Sequence, residues 1–310
     1  MAPKSPARLL PLDEKSVCSP AILGVPAWEQ HSWLLHGFST RLGGISTVYR
    51  SGDLNLGFTS SDERQNVLKN RERFLRAVAG AEAKSSPIAF ALLRQIHSGM
   101  VHRIPSRNLP GKTADSDTLL RGDGLITAAA NTLLGIQTAD CFPILVADVR
   151  QRIVAAFHAG WRGTLTRIAE RGVGRVRAEF GSRPQDLTAA IGPGIGHCCF
   201  SVGEEVRMEF RSQFSYGEDL FQEVFDLDPV KQKYPMLFLT ARAPGHSNLG
   251  PSVHLNLAEA NRRQLLDAGL QPGAIHLLNY CTACDTKHFF SHRAEQGFTG
   301  RMLSVIGIAR

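Results

Sequence analysis

The chain has 310 residues, 43% of them hydrophobic and 20% charged, with 35 Lys and Arg against 28 Asp and Glu for a formal charge of +7. That balance fits a globular chain with a sizeable core and excludes a collagenous, low-complexity or acidic disordered protein. The basic excess is dispersed: its densest stretch, Arg162 to Arg177, interleaves arginines with apolar residues as a solvated helix face does, so no nucleic-acid partner is expected.

Residues 1–30 are rich in proline and small residues and lack a continuous apolar segment, so they read as a disordered tail rather than a secretory signal. An organelle-targeting role for them stays open, with Asp13 and Glu14 counting against it. No apolar run reaches the length of a membrane span, and a cytoplasmic protein without a membrane partner is expected. Residues 31–310 read as one domain. The apolar run Trp33 to Phe38 ends in a glycine turn, Thr40 to Ser46, that carries Arg41. Ser60 and Glu63 have the spacing of a capping box for a helix whose apolar face is Val67, Phe74, Leu75 and Val78, ending at Gly80. Ile88–Leu93 is a strand leading to His97, and 105–121 is a polar loop rich in glycine and proline.

The centre reads most clearly. Strands are predicted at Gly124–Thr127, Thr132–Thr138, Ile144–Ala147 and Ile153–Phe157, followed by a turn at His158-Ala159-Gly160 and a helix with Leu165, Ile168, Ala169, Val173 and Val176 on one face. Leu187–Ile191 is a strand running into Gly192-Pro193-Gly194-Ile195-Gly196, which lacks the Gly-Lys-Ser/Thr ending of a P-loop. Gly203–Phe214 and Leu257–Leu266 read as helices, Ile275–Leu278 and Met302–Ile308 as strands, and 215–252 gives no clear pattern. The elements alternate without a regular βαβ cadence. The expected fold is a single-domain α/β sandwich with mixed sheets, not a pure Rossmann fold.

Three residues carry candidate chemistry: His97, Cys141 and His158, each near the end of an apolar run beside small or polar residues. Two imidazoles and a thiolate make a three-donor metal site with an open position, the stoichiometry of a catalytic zinc. Taken singly, each is more often a structural residue, and it is their shared context that makes a metal or nucleophilic site an equal reading. Asp140 could orient a ligand histidine or cap its own turn. The helix N-terminus after Gly160, with Arg162, could hold a phosphate. Of the six cysteines, vicinal Cys198 and Cys199 are a poor disulfide pair, and reduced thiols fit better. Cys281 and Cys284 have the spacing of a redox or zinc-knuckle pair, but with no second such pair they read as ordinary thiols.

The ordered set Phe38 to Ser46, Leu54-Asn55-Leu56-Gly57, Asn70-Arg71, Gln95-Ile96-His97-Ser98-Gly99, Asp123 to Thr127, Thr138 to Pro143, His158 to Gly163, Ile191 to Ile195, Phe289 to Arg293 and Gly300-Arg301 resembles the laccase-domain purine nucleoside phosphorylases, also described as multicopper polyphenol oxidases. The likeness runs from Trp33 to Ile308. It implies an α/β sandwich and a metal, generally zinc, on His97, Cys141 and His158. It also implies phosphorolysis of adenosine, inosine and S-methyl-5′-thioadenosine, with deamination of adenosine. Ser98 stands where the family often has glycine, and His292 where tyrosine is common.

Purine nucleosides and inorganic phosphate are therefore the expected partners. Arg41, Arg162 and Arg293 are the candidate anion ligands, with Asn55 and Gln95 as polar orienting groups. Copper could occupy the same donors, since copper outcompetes zinc at most N/S sites. A multicopper cluster is not expected, because the 11 histidines include no His-x-His pair and three donors cannot hold four coppers. The competing reading is a metal-free hydrolase or deamidase with Cys141 as nucleophile and His158 as base.

Overall fold

The computed structural model describes residues 19–80, 89–105, 120–224 and 252–310. Strands β1 (Ile22–Leu23), β2 (Leu34–Ser39) and β3 (Leu42–Ser46) precede helix α1 (Arg64–Ala79). β4 (Ala89–Ala91), β5 (Val101–Arg103), β6 (Gly124–Thr127), β7 (Thr132–Thr138), β8 (Phe142–Asp148) and β9 (Ile153–Ala159) follow. Next come α2 (Trp161–Leu165), α3 (Ile168–Phe180), β10 (Leu187–Ile191), β11 (Ser201–Val202) and α4 (Glu204–Gln213). β12 (Phe221–Val224), β13 (Ser252–Leu255), α5 (Leu257–Asp267), β14 (Ile275–Leu277) and β15 (Met302–Ile308) complete the chain.

Two mixed sheets form the sandwich. One has the order β1-β2-β15-β7-β4, the other β14-β10-β8-β9-β6-β5, and β11-β13-β12 makes a small third sheet. Side-chain alternation divides each strand between two cores. On β8, Leu145 and Ala147 face the core between the sheets with Leu134, Ile136 and Ile306, while Phe142, Ile144 and Val146 face the outer layer with Val173, Val176 and Leu265 of α3 and α5. A third cluster packs Phe74 and Leu75 of α1 against Leu133, Leu303 and Val305 on the far face of the first sheet. The single α/β sandwich is thus helix, sheet, sheet, helices.

β6, β7, β10 and β15 have the bounds read from their apolar runs. Other expectations need correction. Part of the assigned tail belongs to the fold: β1 pairs with β2, and buried Trp28 donates its indole N–H to Thr188 Oγ1 at 2.9 Å. Residues 1–18 lie outside the described residues, as do most of the expected 105–121 loop and much of 215–252. The capping box does not form, because α1 starts at Arg64 with no side-chain cap. Asp62 beside it instead accepts from Ser46 Oγ and Asn55 Nδ2 at 2.6 and 2.8 Å. The expected turn at 40–46 contains β3, pressed against Asp53 and Leu54 so closely that only glycine fits at Gly44.

The arginines of α3 do face solvent: Arg171, Arg175 and Arg177 are exposed, and Arg175 pairs with Glu179 at 2.6 Å. No helix of the described residues is long and apolar enough to cross a membrane. Helix α3 approaches β9 through Gly172, where a Cβ would run into the buried ring of Phe157. A Gly172→Ala variant gains about 1 kcal/mol of helix propensity, but overpacking costs about 1–3 kcal/mol. The expected result in urea unfolding is a net loss of stability with an unchanged m-value.

Candidate metal centre

β7 belongs to one large sheet and β8 to the other, so the chain crosses between them at Ala139-Asp140-Cys141. The segment from β4 to β5 makes a second crossing and carries His97. His158 lies on β9 itself, one residue before its end, rather than in the turn beyond it. It shares the parity of Val154 and Ala156 and so points between the sheets. These three features meet at one end of the sandwich.

The ligand atoms of His97, Cys141 and His158 all lie within 4.8 Å of one another. His97 Nε2 is 3.8 Å from Cys141 Sγ, and the two imidazole centroids are 4.8 Å apart. Gly160 keeps the space clear: a Cβ there would sit 2.8 Å from Cys141 Sγ and 2.9 Å from His97 Cδ2. His97 and Asp140 both hold positive φ, 59° and 88°, a costly conformation for residues with a Cβ.

The organising group is the buried carboxylate of Asp123, which the sequence reading passed over. It accepts from the backbone N–H groups of Ile96, His97 and Ser98 at 3.3, 3.0 and 2.6 Å, and from Ser98 Oγ at 2.7 Å. His158 Nδ1 lies 2.8 Å from Asp123 Oδ1, which puts the N–H on Nδ1 and leaves Nε2 as the donor facing Cys141 and His97. The role considered for Asp140 therefore belongs to Asp123. Asp140 accepts instead from Thr282 Oγ1 and from Arg293 N, both at 2.7 Å. The sequence marks Asp123 only as the opening residue of the motif Asp123 to Thr127, directly before β6, and gives no sign of its role.

Electrostatics follow from this network. Burial disfavours the ionised Asp123, but the bonds from His158 and Ser98 outweigh it and hold its pKa at about 2. Burial likewise pushes the Cys141 thiol up, yet the charge and hydrogen bond of His158, with help from His97, pull it down to about 6. Burial opposes the His158 cation, while the Cys141 thiolate and Asp123 raise its pKa to about 9. The ligand-free trio is thus a thiolate–imidazolium pair at neutral pH. One soft thiolate and two imidazoles, with one tautomer fixed, fit a zinc or copper ion.

The trio lines a cavity of about 490 Å³, a size suited to a small-molecule substrate. Gln95, Arg162 and Arg293 line it as well. Gln95 is tied in both directions to the backbone of Gln137, at 2.7 and 2.8 Å, and Arg293 donates to Ser201 Oγ and O. Arg162 stacks over Trp161 at 4.3 Å.

Two expected residues are not among those lining the cavity. Arg41 is fully buried and holds Asp53 through two bonds of 2.9 and 2.6 Å and Glu295 through one of 2.8 Å, so its charge is already matched by carboxylates. Asn55 accepts from the N–H groups of Gly57 and Arg301 and donates to Asp62, which makes it a loop clamp.

Three arginines to which the sequence assigned no role also line the cavity, Arg71, Arg94 and Arg301, and Arg71 is the most buried of them. It lines the cavity, is 3% exposed, donates Nε to Leu56 O at 2.8 Å and stacks on Phe58 at 4.2 Å. Burial, with the charge of Arg64, lowers its pKa to about 10, so it stays charged at neutral pH. No carboxylate pairs with it among the described residues.

An Asp123→Asn variant exchanges one acceptor oxygen for a donor facing a row of N–H groups. Metal affinity measured by chelator competition should fall about 10–100-fold. In the metal-free protein, alkylation of Cys141 should titrate near pH 6 and slow below it. An ordinary thiol does so at about 8.5, and peptide mapping distinguishes the two.

The sequence profile described as "Multi-copper polyphenol oxidoreductase laccase" matches residues 35–309. A purine nucleoside phosphorylase of Deinococcus radiodurans is 36% identical over 275 residues, covering 89% of each chain. A protein named adenosine deaminase RL5, from an unknown prokaryotic organism, is 33% identical over 214 residues, covering 69% of this chain and 72% of its own. The crystal structure of the Bacillus licheniformis hypothetical protein YfiH superposes with a TM-score of 0.76 at 31% identity, covering 93% of this chain and 97% of that one. By sequence and by fold, the chain belongs to the multi-copper polyphenol oxidoreductase laccase family.

Proposed function

We propose that the chain is a zinc-dependent purine nucleoside phosphorylase, acting on adenosine, inosine and S-methyl-5′-thioadenosine, with adenosine deaminase activity. The observation that carries this reading is the open three-donor cluster on the wall of a cavity that also contains a buried guanidinium, Arg71, with no carboxylate partner among the described residues. Relatives named purine nucleoside phosphorylase and adenosine deaminase support it.

His97, Cys141 and His158 would hold the metal, with His158 as a neutral Nε2 donor and Cys141 as thiolate. When bound, the metal would supply a Lewis acid beside the substrate cavity. Phosphorolysis joins a phosphate oxygen to C1′ of the ribose and breaks the C1′–N9 bond, and the purine leaves with the bonding pair and takes up a proton. Arg71 supplies fixed positive charge to the phosphate in a site where low dielectric strengthens it. Arg162 and Arg293 extend that field from the cavity rim. Phe58, Leu92 and Trp161 offer apolar surface to the base. Gln95 and Asn55 act by positioning: one fixes the His97 segment to β7, the other holds the backbone at Arg301.

A copper ion fits the same donors, but a single three-donor site does not provide the several copper centres of an oxidase. A second reading has its own support. Asp123, His158 and Cys141 form a line of acid, imidazole and thiolate that would serve a metal-free hydrolase.

Incubation with adenosine, with and without phosphate, separates the activities. Adenine formed only with phosphate is expected for the phosphorylase and inosine under either condition for the deaminase. Formation of neither product overturns the proposal. A drop of about one equivalent of bound zinc in His97→Ala excludes the dyad hydrolase, whereas activity that survives complete metal removal favours it. Arg71→Ala should raise the phosphate KM about 10–100-fold, the loss of one or two charge-assisted hydrogen bonds. Arg41→Ala should leave that KM unchanged while costing about 3–5 kcal/mol of stability.

A further inference from the structure

The four cysteines absent from the proposed chemistry converge. Cys198 and Cys199 lie in the turn after the glycine-rich segment that follows β10, and Cys281 and Cys284 lie after β14. β10 and β14 are parallel neighbours, so their C-terminal extensions leave the sheet side by side. Gly194 N donates to Tyr280 O at 3.3 Å, and Thr282 N donates back to Gly194 O at 3.0 Å, which locks the two extensions together. Their four Sγ atoms all lie within 4.8 Å of one another.

The detailed geometry is that of a ligand set rather than of disulfides. Cys284 Sγ is 3.4 Å from Cys198 Sγ and 3.3 Å from Cys199 Sγ, and all four thiols are free. A disulfide needs a separation of about 2.05 Å. Four sulfurs at about 2.3 Å from a central ion stand about 3.8 Å apart, within the observed range. The backbone N–H of Gly196 donates to Cys281 Sγ at 3.2 Å, a bond that favours a thiolate. Gly196 has no room for a side chain without crowding the cluster: a Cβ would lie 3.1 Å from Cys198 Sγ and 3.3 Å from Cys281 Sγ. Burial and the neighbouring sulfurs push the Cys198 and Cys199 thiols up in the ion-free cluster, so a bound cation is what would let these crowded sulfurs ionise together.

We propose that Cys198, Cys199, Cys281 and Cys284 form a second metal site, a closed tetrahedral zinc site with a structural role. With four protein donors it keeps no position for substrate, unlike the His97, Cys141 and His158 site. Its position defines what it stabilises. Thr282, between the two downstream cysteines, donates to Asp140 beside Cys141, and Arg293 on the same return segment donates its backbone N–H to the other Asp140 oxygen. The second site fastens the base of the segment that walls the cavity.

The test uses the full-length, fully reduced chain reconstituted with Zn²⁺ alone and desalted. Wild type should retain about two zinc ions and each of Cys281→Ser, Cys284→Ser and His97→Ala about one, as expected for two independent sites. Cobalt bound to His97→Ala should give a tetrathiolate spectrum, and adding Cys281→Ser should abolish it. Reading the site in His97→Ala separates its failure from failure of the phosphorylase reading. If the serine variants do not fold, the wild type decides: zinc should protect four of its six cysteines from a thiol reagent, beyond Cys141. One zinc in wild type that persists in Cys281→Ser overturns the proposal. So does iron in place of zinc in the protein as isolated.

Discussion

The carboxylate of Asp123 is the constraint on which the site depends. It is wholly buried, yet its environment keeps it ionised by surrounding it with donors: three consecutive backbone N–H groups, a hydroxyl and an imidazole. One side chain thereby fixes the backbone that presents His97, the tautomer of His158 and, through His158, the ionisation of Cys141. A buried charge without such partners would be strongly unfavourable, so the network forms as a whole.

Architecture brings these residues together. A sandwich of two sheets needs the chain to pass between layers, and two of its crossings end at the same rim. Cys141 sits on the β7–β8 crossing and His97 on the β4–β5 crossing, while His158 reaches them from inside β9. Helix α1 closes the other side. Asn70 donates to Ser46 Oγ, Asp53 O and Asn55 O and accepts from Ile45 N, so the helix is locked to the preceding loop and Arg71 is delivered to the cavity. Arg41, matched by two carboxylates, and Arg71, which pairs with none among the described residues, illustrate two settings of a buried guanidinium: one binds loops together, the other lines the cavity.

What was legible in the sequence follows from range. Continuous apolar runs such as Thr132–Thr138 and Met302–Ile308 declare buried strands locally, and residue type with motif order singled out His97, Cys141 and His158, whose ligand atoms converge. Long-range pairing was not. Nothing beside Arg41 announces Glu295, and Asp123 is remote in sequence from the N–H groups it holds. Ser60 and Glu63 had the right spacing for a cap, but tertiary contacts moved the helix start. The cysteine pairs failed as a motif because one is vicinal, and only the parallel pairing of β10 with β14 sets it against the other.

His97 of the trio and Asp140 beside Cys141 both carry a left-handed backbone. Glycine or asparagine would relax that conformation at both positions, but at His97 either would delete a donor. At Asp140, asparagine would release either Thr282 or Arg293, and glycine would release both. The two residues therefore form a place where better local stability and a working site are mutually exclusive. Selection for thermal resistance in this fold would have to act elsewhere, in the cores and on the helices, and leave this strained rim intact.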